Sequence, residues 1–184
     1  PELFWHRTTL HGQAHVARVL VHAFRLIAAI GCVEEAARLW AAVYLHDIAG
    51  THDGRSRGHG AGGWARLADL PEVQARFARG GVRPDEYPAI EVAVTCHSKD
   101  EPMPDKAHWR LTALLKDADG LDRVRLHDLD PKMLRHDEAR VMVPFAETLF
   151  EQTDRALVAG PDHFARLWAE AQRIAGSGPV PVTS

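Results

Sequence analysis

The amino-acid sequence predicts an all-α fold in one domain. Apolar residues recur every three or four positions along most of the chain, as they do on the buried face of a helix. No stretch alternates apolar and polar residues for long enough to predict a strand. The length of 184 residues is typical of a single domain, and 46% hydrophobic residues with a net charge of −3 exclude a disordered chain. We expect roughly seven to nine helices over residues 1–175 and a disordered Gly/Pro/Ser-rich tail at 176–184.

The expected helices are separated by glycine and proline signals. The first covers residues 16–30 and ends before Gly31, and the second begins near Glu34 with acidic residues in its first turn and runs to about Ile48. The glycine-rich segment 50–63 predicts a loop with little packing capacity. Further helices are expected at about 60–70, 71–80, 84–97, 107–122, 140–159 and 161–175, with a polar connection at 126–137.

Charge and composition exclude several classes of protein. With 22 basic and 25 acidic residues, the chain lacks the basic surface of a nucleic-acid-polymer binder. The most apolar run, 16–30, is interrupted by His22 and Arg25, which disfavours a membrane span. Cys32 and Cys96 are too few for a disulfide scaffold and suit a reducing compartment. We therefore expect a cytoplasmic protein, and a homodimer is an open alternative for its assembly.

Side chains suited to metal binding occur near the predicted helix ends. The pair His46-Asp47 ends an apolar helix, where a charged aspartate is seldom buried without a partner. A cation would stabilise the Asp47 carboxylate and keep His46 neutral. Imidazole nitrogens with carboxylate oxygens suit Mn, Fe, Co, Ni or Zn. The candidate ligands are His15, His46, Asp47, His59, His97 and Asp119.

The order of these residues, H…HD…H…H…D, resembles the HD-domain superfamily of metal-dependent phosphohydrolases. The resemblance covers roughly residues 10–126. The HD pair alone is a weak signal. It gains specificity from an H-x-x-R-V element upstream (His15, Arg18 and Val19) and a D-A-D-x-L-D element downstream (117–122).

The resemblance implies a ligand set for one or two divalent ions, with Mg also compatible. The ligands of the first ion would be His15, His46, Asp47 and Asp119, and the added ligands of a second would be His59 and His97. Asp47 would bridge the two ions. The A-D-x-L register of the family favours Asp119 over Asp117 as a ligand. Asp117 and Asp122 would then accept hydrogen bonds from ligand histidines or cap the chain.

The resemblance further implies hydrolysis of a small phosphate ester, a nucleotide being favoured. A metal ion lowers the pKa of bound water and supplies hydroxide near neutral pH. Cations would bind and orient the phosphate. The catalytic candidates are Asp47, Lys99 and His52, and the substrate-binding candidates are Lys99, Arg18, Arg55 and His11. A solvated surface role is the alternative for each of these cations, and a helix residue without a chemical role is the alternative for His11.

Two other functions remain open. Some HD-domain members with the same ligand positions hold a mixed-valence diiron centre and oxygenate a C–H bond of a small organic substrate. A non-catalytic HD module that senses or binds a partner is the second alternative, although such modules normally lose a ligand. The sequence lacks the Glu-Asp that marks the alarmone-hydrolase branch and the G-Y-P triplet of the cyclic-dinucleotide branch.

Overall fold

A computed structural model describes residues 4, 12–52, 58–98, 102–154 and 162–176 of the chain. These residues form helices joined by turns and short 3₁₀ segments, and the described ranges contain no strand, which confirms the all-α prediction. The helices are α1 (Gln13–Ile30), α2 (Ala36–Leu45), α3 (His59–Ala65), α4 (Pro71–Arg79), α5 (Tyr87–Thr95), α6 (Trp109–Leu121), α7 (Asp137–Val141), α8 (Val143–Thr153) and α9 (His163–Gly176).

Helix α6 runs through the core of the molecule. Every residue from Leu111 to Ala118 is buried, including the polar side chains of Thr112, Lys116 and Asp117. The helix packs against α1, α2 and α5. This arrangement places the last turn of α6 beside the C-terminal ends of α2 and α5.

Helix α1 is the longest apolar element and lies across α6. Its end is set by Gly31, which has a left-handed φ of 78° and donates its N–H to the Ile27 carbonyl. Among the described residues, α1 alone is long and apolar enough to cross a membrane by length and composition. Half of it is buried in the fold, and the buried residues include His15, Arg18 and His22. This burial is compatible with a soluble protein.

Helices α8 and α9 cover the other side of α1 through a smaller apolar cluster. Its buried members are Ala17, Val21, Leu149, Leu167 and Ala171. The cluster leaves the His15–Arg18 face of α1 turned toward α6. Helix α1 therefore contributes both to packing and to the polar interior described below.

Several predicted boundaries differ from the structure. Helix α2 ends at Leu45, so His46 and Asp47 lie in a turn rather than inside the helix. The helix expected at 140–159 is divided at Met142 into α7 and α8, because Pro144 has no backbone N–H to continue a helix. The polar connection contains a 3₁₀ turn, Pro131–Met133. Residues 155–161 and the tail at 177–184 lie outside the described ranges.

Candidate metal centre

Side chains from five helical elements meet at one polar cluster in the interior. His15 comes from α1, the His46-Asp47 pair from the turn after α2, His59 from the first position of α3, His97 from just beyond α5, and Asp119 from the last turn of α6. Residues separated by up to about a hundred positions in sequence are thus brought together by helix packing. All the predicted metal ligands are in this cluster.

Asp47 lies at the centre of the cluster, with two imidazoles near each of its carboxylate oxygens. Its Oδ2 is 3.2 Å from His15 Nε2 and 3.7 Å from His46 Nε2. Its Oδ1 is 3.3 Å from His59 Nε2 and 3.7 Å from His97 Nε2. One carboxylate therefore faces two pairs of imidazoles, each through a different oxygen.

The spacing of the donor atoms fits ions held between them. His15 Nε2 is 3.2 Å from His46 Nε2 and 3.4 Å from Asp119 Oδ1, and His59 Nε2 is 2.9 Å from His97 Nε2. Two ligands at about 2.1 Å from one metal ion are about 3.0–3.4 Å apart in octahedral or tetrahedral coordination. The groups His15–His46–Asp119 and His46–Asp47–His97 each have the composition and proximity to hold a metal ion.

Hydrogen bonds on the far side of the rings set the tautomers of His46 and His97. His46 Nδ1 donates to the Val43 carbonyl at 2.7 Å, and His97 Nδ1 donates to the Val94 carbonyl at 2.6 Å. A carbonyl can only accept, so the proton is on Nδ1 and the Nε2 lone pair of each neutral ring faces the cluster. The same contact satisfies a carbonyl in the last turn of α2 or α5 that has no helical N–H partner.

His15 is oriented by a carboxylate instead of a carbonyl. Its Nδ1 is 2.7 Å from Asp122 Oδ2, and Arg18 Nε donates to Asp122 Oδ1 at 2.6 Å. Asp122 is fully buried, and Arg18 is 3% exposed. This arrangement is the carboxylate–histidine pair that supports ligand histidines in metal sites. Asp122 therefore contacts a candidate ligand histidine, which is one of the two roles predicted for it. Asp117 contacts none of the cluster histidines and accepts hydrogen bonds from the backbone N–H groups of residues 135 and 136.

The pKa values of the cluster show that its carboxylates favour a positive charge at His15 but not at His46. Burial and Arg125 both oppose protonation of His15, yet nearby carboxylates outweigh them and raise the pKa of His15 to about 10. Burial lowers the pKa of His46 to about 4. Burial alone would raise the pKa of Asp119, but the surrounding imidazoles hold it well below its usual range. Ionised carboxylates beside imidazole nitrogens are the donor set that suits a divalent cation.

Two glycines allow α3 to bring His59 to the cluster. A Cβ at Gly60 would lie 2.1 Å from the Val94 carbonyl oxygen, and a Cβ at Gly63 would lie 2.3 Å from the Leu45 carbonyl oxygen. Helix α3 therefore packs directly on the C-terminal ends of α5 and α2. The glycine-rich segment was predicted as a loop. Its second half instead belongs to α3, and its glycines have no Cβ to prevent the close approach of the Val94 and Leu45 carbonyls.

A cleft opens beside the cluster along α6. It is about 40 Å³ in volume, and the ligand candidates His97 and Asp119 form part of its wall. Three cations also line it, Lys116, Arg123 and Arg135. The sequence reasoning missed these residues. Lys116 is one turn before Asp119, and that spacing on a helix is the signal that could have identified it.

The remaining predicted site residues have different positions. His52 is exposed in the loop that follows Asp47. Arg18 makes two hydrogen bonds to Asp122 and lies 5.2 Å from the centre of the Phe150 ring, which favours support of His15 over the predicted substrate contact. Lys99, Arg55 and His11 lie outside the described residues.

Comparisons with known proteins add no assignment to this geometry. No protein-family model, no curated protein and no solved structure matches the chain. What is shown is a helical protein with histidine–aspartate clusters that could hold metal ions.

Proposed function

We propose that the protein is an HD-type metal-dependent phosphohydrolase that cleaves a small phosphate ester, with a nucleotide as the favoured substrate. The observation that carries the proposal is the position of Asp47, whose two oxygens face His15 and His46 on one side and His59 and His97 on the other. This arrangement suits a pair of ions bridged by one carboxylate. Lys116, Arg123 and Arg135 in the adjacent cleft offer N–H donors to a phosphate ester, beside the carboxylates of Asp128 and Asp130.

Six side chains of this protein would hold the two ions. His15, His46 and Asp119 would bind one ion and His59 and His97 the other, with Asp47 shared between them. A divalent ion in such a site lowers the pKa of water and offsets the charge that develops on a phosphoryl group. Asp122 and the Val43 and Val94 carbonyls fix the orientation of the rings, so the rings need no rotation when an ion binds, although His15 would first release the proton on its Nε2.

Hydrolysis also requires an exit for the leaving group. The oxygen of water forms a new bond to phosphorus, the ester P–O bond breaks, and the departing alcohol takes up a proton from the water. Asp119 is 19% exposed and His59 is 14% exposed, whereas His15 and His46 are fully buried. The accessible side of the cluster is therefore the side of Asp119 and His59. His52 as the group near the leaving alcohol stays a prediction.

The experiment that tests this function is a substrate screen on metal-loaded protein. We expect phosphate release from at least one nucleotide or sugar phosphate in the presence of Mn²⁺ or Co²⁺, and loss of that release in His46→Ala. A matched control is His108→Ala, because His108 lies at the N-terminal end of α6 and contacts Asp105 rather than the cluster. Absence of phosphate release from the whole panel with the ions bound would contradict the proposal.

The diiron oxygenase is the second candidate, since it would use the same ligands. Four histidines and two aspartates in this arrangement are equally suited to iron. The cations lining the cleft favour the phosphohydrolase, because a C–H substrate without an anionic group has no need of them. Two irons per chain with a visible absorption that changes on exposure to oxygen would favour the oxygenase. Bound metal with neither activity would favour the non-catalytic module.

A further inference from the structure

A second and larger cavity is lined by residues of α1, α2, α4 and α9. Its volume is about 780 Å³, within the range of about 300–1,000 Å³ that is usual for small-molecule sites. Its residues on α1 include Phe24, which is nine residues after His15, or about two and a half turns, and therefore on the opposite face of the helix. The cavity is thus separate from the metal centre.

The floor of this cavity is an apolar face that α1 and α2 leave partly exposed. Its larger side chains are only partly buried and recur at four-residue spacing: Val16, Leu20 and Phe24 on α1, and Trp40 and Tyr44 on α2. At about 1.5 Å per residue, the face is about 12 Å long from Val16 to Phe24. A floor of this shape suits an extended aliphatic chain.

Aromatic contacts give the cavity a defined wall on the side of α4. The Phe77 ring is 1% exposed and meets the Trp40 ring edge-on at a centroid distance of 5.3 Å and the Tyr44 ring at 5.7 Å. Gly80 lets the end of α4 approach α2, since a Cβ there would lie 2.3 Å from a ring carbon of Trp40. The cavity is therefore a shaped feature of the fold.

Arg76 supplies the charge of the cavity. It is exposed, and among the described residues that line the cavity it is the only lysine, arginine, aspartate or glutamate. Glu72, one turn earlier on α4, is not part of the lining. A guanidinium presents two parallel N–H donors that match the two oxygens of a carboxylate. One cation beside a long apolar floor complements a molecule that has an aliphatic chain and a single carboxylate head.

We propose that this cavity binds a long-chain fatty acid, with the aliphatic chain along α1 and α2 and the carboxylate paired with Arg76. A nucleotide in the same place would need several cations for its phosphates, whereas the described lining supplies one. The site is independent of the proposed phosphohydrolase activity, because none of the six candidate metal ligands is among the described residues that line it.

The test uses decanoate as the probe, below its micelle concentration, and the full chain. Its affinity is measured by calorimetric titration of the wild type, Arg76→Gln and Arg79→Gln. Arg79 is the matched control, because it is an exposed arginine in the last turn of the same helix and does not line the cavity. We expect decanoate binding about fivefold weaker in Arg76→Gln, as for loss of an ion pair near the surface, and unchanged in Arg79→Gln. Decanol, which has the same chain and no charge, should bind both variants like the wild type.

A second variant tests the apolar floor. Ala37 is partly buried and lines the cavity, so a phenylalanine there would occupy space that the aliphatic chain needs. We expect Ala37→Phe to bind both decanoate and decanol at least about tenfold more weakly, with unchanged helical circular dichroism.

The outcomes distinguish the fatty acid from other occupants of the cavity. No decanoate binding by the wild type, or wild-type affinity in folded Arg76→Gln or Ala37→Phe, overturns the proposal. Decanoate binding that is seen only in Phe4→Ala also overturns it and assigns the cavity to the N-terminal part of this chain, because Phe4 is among the lining residues. Self-association of the wild type that Ala37→Phe abolishes, without decanoate binding, overturns it in favour of a second copy of the chain.

Discussion

At the scale of single residues, Asp122 determines how His15 presents its Nε2 atom. One carboxylate oxygen accepts from His15 Nδ1 and the other from Arg18 Nε. Replacement of Asp122 by Asn leaves only one acceptor oxygen for these two donors, so either His15 or Arg18 faces an amide N–H₂ and the His15 ring is held less firmly. We expect Asp122→Asn to weaken Mn²⁺ binding about 10- to 100-fold in a titration of metal-free protein.

The control for this prediction is Asp154→Asn. Asp154 is an exposed aspartate at the end of α8, far from His15 in the chain. It should leave Mn²⁺ affinity unchanged. Equal affinity in a folded Asp122→Asn variant would show that His15 needs no carboxylate partner.

His22 predicts a pH dependence of stability. Burial lowers its pKa from 6.5 to about 4 in the folded protein. Between these values the unfolded chain binds a proton that the folded chain does not, so stability is present above pH 6.5 and is lost as the pH falls toward 4. At about 1.4 kcal/mol per pKa unit, the loss is about 3 kcal/mol.

Comparison with His22→Leu isolates this contribution from those of other acid-sensitive groups. The free energy of unfolding of the metal-free wild type and variant is measured by denaturant titration from pH 7 to pH 4. The difference between them should shift by about 3 kcal/mol in favour of the variant at low pH. Parallel pH profiles would mean that His22 is not the buried neutral group described here.

The residues of the cluster and the supporting carboxylate of Asp122 were predictable from sequence, but the cations of the adjacent cleft were not. His15, the His46-Asp47 pair and Asp119 stand in an order that the sequence reasoning could match. The sequence does not distinguish Lys116 from a surface lysine, because its burial depends on α6 being covered on nearly every face. Burial on that scale comes from tertiary packing, which a single helix pattern does not encode.

At the scale of elements, α3 is positioned by its glycines. Gly→Ala normally stabilises a helix by up to ~1 kcal/mol. At Gly60 the added Cβ would meet the Val94 carbonyl at 2.1 Å and His97 Nδ1 at 3.0 Å. We expect Gly60→Ala to lower the free energy of unfolding by about 1–3 kcal/mol and to reduce bound metal, as α3 moves away from α5.

Gly176→Ala is the control for this substitution. It lies at the end of α9, and a Cβ there would have no atom within 4 Å. Thermal unfolding and metal content should stay at wild-type values. A Gly60→Ala variant more stable than the wild type and fully metal-loaded would contradict the packing of α3 on α5.

Helix boundaries were the least predictable part of the fold. Helices α2 and α5 are each followed within two residues by a histidine whose ring contacts the carbonyl three residues earlier, Val43 or Val94. The repeated Val-x-x-His spacing is visible in the sequence, but a histidine inside a helix has the same spacing. Whether the helix continues past the histidine depends on the neighbouring helices against which the imidazole ring packs. The sequence therefore predicted these helices and missed their ends by two or three residues.

At the scale of the whole molecule, metal binding should couple to global stability. The cluster joins α1, α3 and α6 with the ends of α2 and α5. A metal ion at a hundred times its Kd stabilises the folded chain by about 2.7 kcal/mol, provided that it binds only that state. For a chain of this size we expect a chelator to lower the Tm by roughly 5–10 °C.

The Asp47→Ala variant supplies the control for chelation. If the ions act through the cluster, the chelator should leave the Tm of this variant unchanged. A wild-type Tm that does not respond to the chelator, in protein shown to carry metal beforehand, would place the metal elsewhere on the chain.

The most direct test of the central claim is the number of metal ions bound per chain, measured by elemental analysis after loading with Mn²⁺ and removal of excess. The convergence of ligands on both oxygens of Asp47 predicts two ions in the wild type and in Asp154→Asn. Asp47→Ala should retain fewer than one while keeping its helical circular dichroism. Two ions in folded Asp47→Ala, or none in the wild type, would contradict the assignment of this cluster as a metal centre.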